Sequence, residues 1–118
     1  MTGMVLVLAV AAVLQGEAAS IGPTGMEAVA DTMLARLESE QYGETWDEVL
    51  EAYYASATPG SDAITIAYAA VMHPWQPDDY VFAYSDADCR NRRWRPGDVT
   101  LSGPAGSLHL SKEWPGPS

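Results

Sequence analysis

Glu17 follows the most apolar stretch of the chain, Met4 to Leu14, after Gln15 and Gly16. If that stretch is helical, Glu17 stands at its C-terminal end, where exposed carbonyls disfavour negative charge. Partial burial against Val13 and Leu14 pushes its pKa the same way. A carboxyl kept protonated like this suits general acid catalysis. Taken alone, a glutamate near a helix end is more often solvated surface or a capping partner. His109, between Leu108 and Leu110, reads first as a half-buried strand histidine. Its sharper reading is a cleft residue that binds substrate or positions an acid. Tyr84 and Ser85 can line the same groove, one offering an aromatic face and the other a hydroxyl. Equally, Tyr80, Phe82 and Tyr84 can form one core face of a strand.

Composition narrows the chemistry. The 118 residues suit one domain, residues 1–118, and 47% of them are hydrophobic, enough for a real core. The single cysteine, Cys89, excludes an intrachain disulfide and a Cys-based zinc site. Two histidines, His73 and His109, are too few for a His-rich metal centre, so no metal and no organic cofactor is expected. A net charge of −10 disfavours nucleic acid and anionic membranes as partners. Residues 1–62 hold ten acids against one base, Arg36, whereas residues 63–118 hold six acids against five bases. Arg90, Arg92, Arg93 and Arg95 cluster around Trp94 like a nucleic-acid patch. The overall charge argues for ion pairing instead, with the acidic helical half as the ready partner.

These residues need elements to position them. Met4 to Leu14 is too short to span a bilayer, which takes roughly 20 residues. No Lys or Arg precedes it, as a secretory leader would require. Although small residues follow at Ala18-Ala19-Ser20, a buried helix is favoured over a signal peptide. Thr24-Gly25-Met26-Glu27 has the form of a capping box, and the apolar spacing behind it predicts a helix to about Glu38. Arg36 near its end either complements the helix dipole or ties the helix to the β region. Thr45-Trp46-Asp47-Glu48 is a second capping box, opening a helix over Trp46 to Tyr54. Ser61 or Asp62 caps a fourth helix, which Pro74 ends at about His73. Tyr80 to Tyr84, Asp98 to Leu101 and Leu108 to Leu110 read as short strands, with a turn at Gly103 to Gly106 between the last two. The fold class is α+β and mainly helical, with a small irregular β region at the C-terminal end.

The segment Gly16-Glu17-Ala18, then Gly25-Met26, Ala28-Val29-Ala30 and Leu34-Ala35-Arg36, resembles the cell-wall hydrolase family of the spore-cortex-lytic enzyme SleB. Weaker likeness continues through Trp46 to Tyr54, Ile64 to Met72, Tyr80 to Ser85 and Leu108-His109-Leu110. The resemblance implies a lysozyme-like fold around a buried first helix. It implies cleavage of peptidoglycan glycan strands between N-acetylmuramic acid and N-acetylglucosamine, typically as a lytic transglycosylase. Glu17 matches the catalytic glutamate, and Tyr84, Ser85 and His109 are the substrate-groove candidates. The family's second acid, four positions later, is Ile21 here. Its asparagine before the helix-end arginine is Ala35, and its asparagine after the aromatic strand is Ser85.

One carboxyl suffices for such a reaction. Glu17 would protonate the glycosidic oxygen, then take a proton from the muramic acid 6-hydroxyl as that oxygen closes onto C1. No water needs activating, unlike in glycosidases with paired carboxylates. The rival is a module of the same fold that binds glycan without cutting it, as in a virion. An unrelated helical interaction protein would have no cleft beside Glu17. The site of action implied is the cell wall, for a secreted, spore-associated or phage-encoded protein.

Overall fold

The computed structural model describes residues 2–116. About half of the chain is helical, and a three-stranded antiparallel sheet completes an α+β fold. The helices are α1 (Gly3–Ala18), α2 (Pro23–Ser39), α3 (Trp46–Leu50), α4 (Ser61–Met72) and α5 (Asp86–Arg92). The strands are β1 (Phe82–Ser85), β2 (Val99–Gly103) and β3 (Gly106–Ser111). None of the described helices is long and apolar enough to cross a membrane.

The apolar first segment is a helix, and it packs against both α2 and α4, which also touch each other. Val7, Val10, Ala11, Val13, Leu14 and Ala18 are buried in the main core. Burial is not complete: Met4 is 58% exposed, and Val5 and Leu8 are also exposed. The first turn of α1 is exposed and Leu8 lies on its solvent side next to the fully buried Val7, so this all-apolar helix is buried mainly along one face.

Two expected caps are replaced. α2 starts one residue before Thr24, with Gly22 as N-cap and Pro23 in its first turn. Proline fits there because its missing N–H is one that the helix leaves unpaired anyway. The N-cap of α4 is Gly60, not Ser61 or Asp62, and no side chain caps it. The Gly60 N–H instead donates to Gln15 Oε1 on α1 at 2.9 Å.

α3 ends at Leu50, short of the expected Tyr54. Thr45 accepts from the Glu48 N–H as its N-cap. The chain then unrolls through short turns, with Ala52 N–H on the Val49 carbonyl and Tyr53 N–H on the Leu50 carbonyl. Beyond these turns it runs across α1, where Ala57 N–H donates to the Ala12 carbonyl at 3.0 Å. These bonds to α1 hold the extended chain against that helix.

The sheet order is β1-β3-β2, with β2 and β3 joined through the expected turn. Side chains alternate across it, as strand geometry requires. Leu108 and Leu110 enter the main core with Ala83, Val99 and Leu101. On the opposite face Tyr84 and Thr100 stand directly across from His109.

The helix α5 was not anticipated. Ser85 accepts from the Asp88 N–H, and the Asp88 carboxylate accepts from the Ser85 N–H, a reciprocal capping box. No apolar stripe follows it, which hid the helix from a reading based on periodicity. Ser85→Ala removes the cap and should cost about 1 kcal/mol. Hydrogen exchange is expected to speed up across Asp86–Arg92 first, with only a small drop in the global Tm.

Of the arginine cluster, Arg92 and Arg95 pair locally, and none pairs with the acidic helical half among the described residues. Arg92 lies 3.5 Å from Asp88 on the same helix, and Arg95 lies 3.7 Å from Glu113. The spacing of four residues on α5 makes Asp88 the nearer partner. Arg36 ties α2 to the β region: its Nε donates to the Val81 carbonyl at 2.6 Å.

Candidate active site

Glu17 occupies the last turn of α1, half-buried. Its position depends on Gly16. A Cβ on Gly16 would stand 2.5 Å from the Ser56 backbone nitrogen and 2.7 Å from the Ala55 carbonyl carbon. Only glycine lets the 55–57 strip lie this close to the helix. The strip brings the Ala55 N–H to Glu17 Oε1 at 3.2 Å.

Burial raises the Glu17 pKa above the ordinary glutamate value. The Ala55 N–H opposes this by stabilising the charged form, and the negative charge of Asp88 adds to the rise. Desolvation wins, so the carboxyl holds its proton to higher pH than a free glutamate.

Glu17 opens into a cleft of about 290 Å³ between the end of α1, the start of α5 and the β2–β3 turn. Ser85, Asp86 and Arg90 line it, together with Ile21 from the α1–α2 connection. The β2–β3 turn closes one side. A Cβ on Gly103 would stand 2.6 Å from the Ser20 carbonyl oxygen, so glycine permits this approach.

Asp86 is the cleft residue that sequence reasoning missed. Its Oδ1 lies 2.7 Å from His109 Nε2, and its Oδ2 accepts from the Ser107 N–H at 3.1 Å. His109 Nδ1 accepts from the Gly97 N–H at 3.2 Å, which puts the ring proton on Nε2. Thr100 Oγ1 lies 3.1 Å from the same Nδ1. The ring therefore donates to Asp86. That hydrogen bond is the main reason the Asp86 pKa is lowered, against a smaller desolvation effect. Asp86 is thus held as an anion with both oxygens engaged, while Glu17, lining the same cleft, is biased towards the protonated form.

The four residues singled out in the sequence fall in different places. Glu17 and Ser85 line the cleft. His109 is buried behind it and reaches it through Asp86. Tyr84 is 2% exposed, donates its hydroxyl to the Arg95 carbonyl at 2.9 Å, and stacks on the His109 ring at 5.5 Å. Its side chain belongs to the core behind His109, not to the Glu17 cleft.

Asp86→Asn should destabilise the fold near neutral pH. A carboxylate whose folded pKa is depressed contributes stability above its unfolded pKa, and that contribution is lost as pH falls through the folded pKa. Thermal unfolding of parent and variant is expected to differ at pH 7 and to converge at pH values below the ordinary aspartate range. A constant difference at every pH would rule out a charge-based role.

Among the described residues no group of three or more His, Cys, Asp or Glu side chains is placed to hold a metal ion. No family model, curated protein or solved structure matches the chain.

Proposed function

We propose that the protein cleaves the glycan strands of peptidoglycan between N-acetylmuramic acid and N-acetylglucosamine, as a lytic transglycosylase with Glu17 as its one acid/base. The observation that carries this reading is Glu17 itself: a half-buried carboxyl with a raised pKa, fixed by the Ala55 N–H and facing a cleft. In this reading the molecule is a small lysozyme-like enzyme, with α1 delivering the acid to the groove.

Glu17 protonates the glycosidic oxygen, and the bond from that oxygen to C1 of muramic acid breaks. The sugar is left with oxocarbenium character. Asp86, already an anion, stabilises that positive charge in the cleft. Both Asp86 oxygens are engaged and its pKa is depressed, so it is a poor base for activating water. The Glu17 carboxylate then takes the proton of the muramic acid 6-hydroxyl, whose oxygen closes onto C1. Asp86 comes from α5, whereas the resembled family places its second acid four positions after the glutamate, at the position of Ile21.

The alternative is a module that binds glycan without cutting it, and the apolar Ile21 in the cleft favours it. Incubation with purified sacculi separates the two. Clearing of turbidity is the expected result. Retention of the protein on sacculi without clearing would support the binding module.

A further inference from the structure

The strip that holds Glu17 also contributes to a second pocket. Ala55 donates to Glu17, while the preceding Tyr53 and Tyr54 line a pocket of about 500 Å³. The lining includes Arg36 and Arg92 and contains no acid. In a chain of net charge −10 this is an inversion of local charge.

Arg36 is only 9% exposed. Rings of Tyr42, Tyr53 and Phe82 surround its guanidinium at 5.2, 5.3 and 5.3 Å. Apart from the Nε bond to Val81, it has no hydrogen-bond or carboxylate partner among the described residues. No buried side-chain nitrogen or oxygen among them lacks a partner, so its two Nη groups are those that reach solvent. Arg36 is among the residues that line this pocket. A cation this buried pays a desolvation cost that aromatic faces and one carbonyl offset only in part. A carboxylate matches the geometry of the remaining donors.

Arg92 supplies a second charge at the same pocket. Asp88 holds it, and its guanidinium lies over Tyr54 at 5.8 Å and over Trp94 at 5.2 Å. Tyr54 is 83% exposed and Trp114 is 54% exposed, so flat aromatic faces border the two cations.

We infer that this pocket binds a carboxylate carried by the substrate, namely that of the peptide stem attached to muramic acid beside the bond broken at Glu17. The inference rests on the glycan-cleaving reading for the identity of the ligand. Arg36 is the buried anchor, Arg92 the outer clamp, and the aromatic faces pack against the stem.

The test is an NMR titration with N-acetylmuramyl dipeptide, its fully amidated form, and the N-acetylglucosamine trimer, read at the indole N–H signals of Trp94 and Trp114. The dipeptide is expected to shift both signals and to bind about tenfold more tightly than the amidated form. Arg92→Gln, at an exposed position, should weaken the dipeptide by about tenfold and leave the trimer unaffected. Arg36→Lys, checked for folding by circular dichroism, should weaken it further, since lysine lacks the planar fork. Equal binding of the acid and amidated forms, or an Arg92→Gln variant that binds like the parent, overturns the inference. Carboxylate-dependent binding by a protein that does not clear sacculi supports the pocket and removes the catalytic reading. Equal cleavage of stem-bearing and stem-free strands does the reverse.

Discussion

Glu17→Gln is expected to lower peptidoglycan cleavage by between about 100- and 10,000-fold, the range for losing a general acid or base, while folding as well as the parent. Glutamine keeps an oxygen for the Ala55 N–H, so the strip across α1 should stay in place. The stability effect has a defined sign. Burial raises the folded-state pKa of Glu17 above its unfolded value. The stability linked to its protonation is therefore full below the unfolded pKa and lost as pH rises through the folded pKa. Glutamine has no charge to bury and escapes that loss. Thermal unfolding should match the parent in acid and equal or exceed it at neutral pH. The parent's cleavage rate should decline as pH rises through the same raised pKa. A folded variant that still clears sacculi at the parent's rate would remove Glu17 from the chemistry.

The second large effect is expected at Gly16. A methyl group there meets backbone atoms of Ala55 and Ser56 at 2.5 to 2.7 Å, and backbone cannot swing aside as a flexible side chain can. The 55–57 strip must lift or the helix end must shift. Overpacking of this kind costs about 1–3 kcal/mol, equivalent to a fall in Tm of about 4–12 °C for a domain this size. Lifting the strip also withdraws the Ala55 N–H, which stabilises the charged form of Glu17. It also opens the Glu17 carboxyl to water, and burial is the larger influence on that pKa, so Gly16→Ala should move it back towards the ordinary glutamate value and bring the alkaline limb of activity to lower pH. Calorimetry and a pH–rate profile read the two effects separately. An unchanged Tm would show that the close approach is not needed.

Much of the helical frame was legible because its signals are local. The apolar run, the spacing behind Met26 and the stop at Pro74 each lie within a few residues of what they determine. Arg36 could be read as a tie to the β region, although not that Val81 would receive it. α3 was overextended because Trp46, Val49, Leu50, Tyr53 and Tyr54 keep a helical spacing whether or not the helix continues. Beyond it the chain is held by bonds to α1, at Ala12 and Glu17, far away in sequence.

The candidate site was legible in part for the same reason. Glu17 announces itself at the end of an apolar run. Asp86 does not, because its state depends on β3 delivering the His109 ring and the Ser107 N–H to it. That juxtaposition depends on a sheet register no short window contains. Tyr84 had two readings of equal weight from alternation alone, and its pairing opposite His109 places it in the core.

The most direct measurement is mass spectrometry of the fragments released from purified peptidoglycan by the parent and by Glu17→Gln. The account predicts 1,6-anhydromuramic ends from the parent and none from the variant. Absence of any new glycan ends from the folded parent, or the same ends in the same yield from Glu17→Gln, would contradict it.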